Sequence, residues 1–73
     1  MTFYGWITSN YKNQEGEKGD LARFLKKGKL RIHSRDYEEN RAVLLCGKPG
    51  EDLLRAYDVA WNEYASLKSR GKV

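Results

Sequence analysis

The feature that most constrains this chain is an apolar stripe near its C-terminal end. Leu53, Leu54, Tyr57, Ala60, Trp61, Tyr64 and Leu67 recur at helical spacing, so one face of a long helix is apolar and must be covered by other elements. Glu51 and Asp52 precede the stripe, and Lys68 and Arg70 follow it. Acidic residues at the start and basic ones at the end suit a helix dipole.

The partners for that stripe lie upstream. Thr2 is placed to cap a first helix, and Phe3, Trp6, Ile7 and Tyr11 follow at helical spacing, with an end expected near Tyr11 or Lys12. KNQEGEKG is polar, contains two glycines and reads as a loop. Asp20 is expected to cap a second helix that turns Leu21, Ala22 and Leu25 inward, with Phe24 at its edge and Gly28 as its stop. A third helix starts at Ser34 or Asp36. The spacing Asp36-x-x-Glu39 fits a capping box, Tyr37, Val43 and Leu44 face inward, and Gly47 ends the helix ahead of a GKPG turn. The sequence therefore predicts an all-α, compact four-helix bundle. It forms one domain over residues 1–68, with a disordered tail over 69–73.

At 73 residues the core is small. One cysteine, Cys46, forms no intramolecular disulfide, and no Cys/His cluster has metal-ligand spacing. Two Trp, five Tyr and two Phe supply the apolar area instead. The single thiol and the absence of an export signal lead to an expected cytoplasmic location. No apolar run approaches the roughly 20 residues of a membrane span.

Four segments occur in order: FYGWI near the start, GDLA at the second helix, DY at the third, and AYDVAWNEY in the last. Together they resemble the YozE family of small bacterial proteins. The resemblance covers Phe3 to Tyr64 and implies a sterile-alpha-motif-like four-helix bundle, without an established activity. The chain departs from the family pattern at Asn40, a third-helix position that is usually apolar. It departs again in LRIHSR, where relatives carry a Phe-Pro or similar turn.

The candidate sites separate by their chemistry. The aromatic residues at helical spacing read as core. His33 has no second histidine, so an exposed residue is the plainer reading than a base or metal ligand. Cys46, in VLLCG, reads as a buried packing residue. GEKGD lacks the Lys-Ser/Thr and the strand–helix context of a phosphate loop. Acid pairs at helix starts are explained by the dipole. With no triad, metal motif or cofactor fingerprint, no enzyme and no small-molecule cofactor are expected.

The remaining feature is a basic stretch. KKGKLRIHSR, Lys26 to Arg35, holds five of the fourteen Lys and Arg residues and the only histidine, with no acid among them. With Arg23 it gives the candidate binding residues Arg23, Lys26, Lys27, Lys29, Arg31 and Arg35. Leu30 and Ile32 are expected to tuck under the helices and pin this connection. Two readings stay open. One is a non-enzymatic module that contacts DNA or RNA backbone with little sequence preference. The other is a protein-interaction adaptor working through weak self-association or an acidic protein partner, as a mobile-element or phage protein acting on a host factor would. For the second, the charge is divided: residues 18–35 hold seven basic and one acidic residue, residues 36–63 three and seven. A membrane-surface role is not expected, because the core needs the apolar stripe.

Overall fold

A computed structural model describes residues 2–28, 30 and 32–72. Their regular structure is entirely helical: α1 (Phe3–Tyr11), α2 (Glu17–Lys27), α3 (Tyr37–Cys46) and α4 (Glu51–Ser69). No helix among the described residues is long and apolar enough to cross a membrane.

Helices α1, α2 and α4 pack directly against one another. Thr2 starts α1 as expected: its Oγ1 accepts from the Gly5 N–H at 3.1 Å. Phe3, Trp6 and Ile7 are buried from α1, and Leu21, Ala22 and Leu25 from α2. Helix α4 buries Ala56, Tyr57, Ala60 and Tyr64. The Phe3 ring lies at the middle of an aromatic cluster. It meets Tyr57 and Tyr64 edge-on at 5.3 and 5.6 Å, and Trp6 and Trp61 tilted at 5.9 and 5.1 Å. Burial of each such side chain contributes roughly 1.5–3 kcal/mol, and edge-to-face geometry adds to it. These rings are core, as their spacing predicts.

Helix α2 begins earlier than its acidic residue predicts. Its N-cap is Gly16, at φ 106°, a conformation open to glycine, and Glu17 is the first helical residue. Asp20 therefore lies inside the first turn. Its N–H bonds the Gly16 carbonyl at 2.9 Å, and its carboxylate turns to Arg23. Gly19 allows the loop to cross here, because a Cβ on it would stand 1.9 Å from the Gln14 carbonyl oxygen.

The start of α3 also differs from a capping box. Asp36 is the N-cap, but its side chain caps nothing. The Ser34 hydroxyl stands between the two partners instead. It donates to Glu39 Oε2 at 2.5 Å and accepts from the Asp36 N–H at 3.0 Å. Asn40, 1% exposed, is buried with Leu44 on the inner side of α3. Its amide clasps the backbone of Ser34, Oδ1 accepting from the N–H at 3.1 Å and Nδ2 donating to the carbonyl at 2.8 Å. Helix α3 buries only Asn40 and Leu44, and it packs less closely on its neighbours than α1, α2 and α4 pack on one another. A polar side chain is buried because it replaces the hydrogen bonds that a connecting segment would otherwise lack.

At the other end of α3, Gly47 has an ordinary right-handed backbone (φ −83°) and is glycine for space. A Cβ there would stand 2.7 Å from Leu30 Cδ1 and 3.3 Å from Phe24 Cζ. The left-handed residue of the turn is Lys48, at φ 53°. Proline after it disfavours the right-handed helical region. Helix α4 runs to Ser69. Lys72 N–H reaches the Leu67 carbonyl at 2.9 Å and Gly71 N–H the Lys68 carbonyl at 3.0 Å. With Gly71 at φ 72°, this is a Schellman motif.

Candidate binding surface

Of the six candidate basic residues, four lie within the described chain; Lys29 and Arg31 fall outside it. Lys26 and Lys27 are exposed on the last turn of α2, and Arg35 is exposed just before α3. None of the three pairs with a carboxylate among the described residues. Arg23 is different. Its Nη1 donates to the carbonyls of Lys12 at 3.0 Å and Gln14 at 2.9 Å, and its Nη2 to Asp20 Oδ1 at 2.6 Å. The guanidinium closes the α1–α2 loop with three of its five N–H donors. Arg23 and Lys27 line one shallow groove with Phe24 and Leu53, but Asp20 and Asp52 also border it. That groove is mixed in charge.

The connection from α2 to α3 is held at three points. Leu30 N–H bonds the Leu25 carbonyl at 3.1 Å. Ile32 is fully buried. Ser34 is clasped by Asn40. Leu30 packs partly buried against the core, so both expected anchors are in place. Between the anchors, His33 is exposed, and its ring meets Tyr4 of α1 edge-on at 5.1 Å and 62°. No local pattern joins Tyr4 to His33; only the fold brings this pair to the basic connection.

A second polar cluster ties three elements together. Glu63 of α4 accepts from the Tyr11 hydroxyl at 2.8 and 3.0 Å and from Lys18 Nζ at 2.8 Å. The ammonium also stands 5.3 Å from the centre of the Tyr11 ring. The Lys18 bond holds the Glu63 carboxyl below its usual range. Glu63 in turn raises Lys18, and loss of solvation followed by the Glu63 bond raises the Tyr11 hydroxyl. All three groups have internal partners, so the cluster is a structural tie.

On the opposite flank, Tyr37 donates a short hydrogen bond to Asp58, which pushes its phenol pKa up. Tyr57, fully buried, stacks on Tyr37 at 18° and donates to the Tyr37 carbonyl at 2.9 Å. Burial drives its phenol well above the normal range. Cys46 is exposed, against the expectation of a packed thiol. Leu44 turns inward from α3, which leaves Leu45 and Cys46 outward. Among the described residues, no three His, Cys, Asp or Glu side chains converge as a metal set.

Comparison of the chain with family models, curated proteins and solved structures found no match. The resemblance to the YozE family therefore rests on the four segments read from the sequence.

Proposed function

We propose that this chain is a small non-enzymatic binding module of the YozE type that grips nucleic-acid backbone through the connection between α2 and α3. One observation carries the reading: the basic residues flank a connection pinned at Leu30, Ile32 and Ser34. Lys26, Lys27 and Arg35 meanwhile stay exposed, with no carboxylate partner among the described residues. Cations on a fixed backbone lose less entropy on binding than cations on a loose loop. Arg23 leaves the proposed contact set because it closes the α1–α2 loop, while Lys29 and Arg31 stay in it. A cytoplasmic place of action accords with the single thiol.

The test is a titration of labelled protein with short duplex and single-stranded oligonucleotides at two salt concentrations. Binding should fall steeply with salt. The triple variant K26A/K27A/R35A should keep its helical signal and lose affinity. Its salt slope should be shallower by about 0.9 per lost duplex contact, or about 0.7 per lost single-strand contact. Absence of binding by either form at low salt would sink the reading.

The adaptor reading has its own support. Glu38, Glu39, Glu51, Asp52 and Asp58 are exposed on α3 and α4, and Leu45 and Val59 are exposed apolar residues at 42% and 49%. A sedimentation mass that rises with concentration at low salt favours self-association; a constant monomer mass removes that version.

A further inference from the structure

We infer that the strand gripped here is single, with an unpaired base stacked on the ring of His33; this rests on the backbone-binding reading above. The sequence offers basic residues and, for base stacking, no exposed aromatic residue beyond Phe24 and Tyr4. The fold pairs Tyr4 with a second ring. Tyr4, partly buried against the core, sets its ring edge-on to His33. His33 itself is exposed, between buried Ile32 and the clasped Ser34.

The geometry of the pair matters. Tyr37 and Tyr57, stacked at 18°, cover one face of each other. Tyr4 and His33 meet edge to face at 62°, so the two rings do not sandwich each other, and His33 is exposed to solvent. Tyr4 fixes the platform from α1, while the neighbouring anchors hold the backbone that carries His33. Little rotational freedom is left to lose on binding. Arg35 follows two positions later, at most about 7 Å along the chain. That places an exposed cation within reach of the phosphate next to a stacked base. Aromatic faces beside exposed cations are how proteins hold single strands without reading their sequence. A duplex offers no unstacked base to such a surface, and the mixed-charge groove at Asp20 and Asp52 adds no further attraction for a second phosphate chain.

The experiment measures fluorescence anisotropy of a labelled mixed-sequence oligonucleotide as single-stranded DNA, single-stranded RNA and duplex, at one low salt concentration. The single strands should bind more tightly than the duplex. His33→Ala should weaken single-strand binding about fivefold or more and leave duplex binding unchanged. His33→Tyr, which keeps a ring and removes the imidazole, should retain the affinity and so separate stacking from charge. The DNA and RNA arms resolve the sugar; the H33A loss in either supports stacking. Because His33 is exposed, H33A should keep the helical signal and melting temperature. Equal binding of duplex and single strand, or single-strand binding that H33A leaves untouched, overturns the inference while backbone contact stands. No binding by any form overturns both.

Discussion

Asn40 holds both backbone groups of Ser34, six residues upstream, with bonds of 3.1 and 2.8 Å made from a fully packed position on α3. The side chain behaves as a stitch of borrowed backbone. An apolar residue at this site would bury well and still leave two polar groups of the connection without partners.

Replacing Asn40 should therefore hurt stability regardless of the hydrophobicity of its substitute. Asn40→Leu and Asn40→Ala should each cost about 1–3 kcal/mol, measured as a lower urea midpoint with little change in slope. Ser34→Ala keeps both clasped backbone groups and should cost less. A stabilised Asn40→Leu variant would show that the clasp contributes nothing net.

Adjacent residues at the end of α3 should respond in opposite directions. Gly47→Ala forces a methyl group against Leu30 and Phe24, and overpacking of this kind costs about 1–3 kcal/mol. Lys48→Gly relieves a left-handed backbone on a residue with a Cβ and should stabilise by roughly 0.5–1 kcal/mol. Thermal melts of the two variants check both signs. Destabilisation by both would mean that the Lys48 side chain contributes more than its backbone costs.

The pH dependence has two limbs. Glu63 titrates below its ordinary value of 4.5 in the folded chain. Its contribution is present above that value and is lost as pH falls through the depressed one. On the alkaline side, Tyr11, Tyr37, Tyr57 and Lys18 all titrate above their ordinary values. Their contribution is complete below about pH 10 and is lost as pH rises beyond it. Melting temperature against pH should accordingly fall at both ends. Glu63→Gln should flatten the acid limb. Tyr57→Phe should cost about 1 kcal/mol at neutral pH through the bond lost to Tyr37, and should delay alkaline unfolding. An acid limb that is identical in Glu63→Gln would place its cause elsewhere.

How much of this was legible in the chain varies with the physics of each part. Helical periodicity located all four helices, because burial of a stripe leaves a regular trace in residue type. It also picked out Phe3, Trp6, Ile7, Leu21, Ala22, Leu25, Leu44, Tyr57, Ala60 and Tyr64 as core. Ala56 went unnoticed because a methyl group adds little to an apolar pattern. Asp20 looked like a cap because residue type alone does not show that Gly16 starts the helix a turn earlier. Cys46 looked buried because VLLC is apolar as a string, whereas the turn of the helix faces only part of it inward. At the candidate surface, the cluster of cations was plain. The loss of Arg23 to the carbonyls of Lys12 and Gln14 was not, since backbone acceptors carry no signature in residue type. Tyr4 and His33 meet only once the bundle has formed.

The aromatic cluster around Phe3 has a practical consequence. Both indoles of the chain, Trp6 and Trp61, touch the same phenyl ring. Their emission should therefore act as one optical gauge of whether α1 is seated on α4. A perturbant that parts the two helices would move both indoles together.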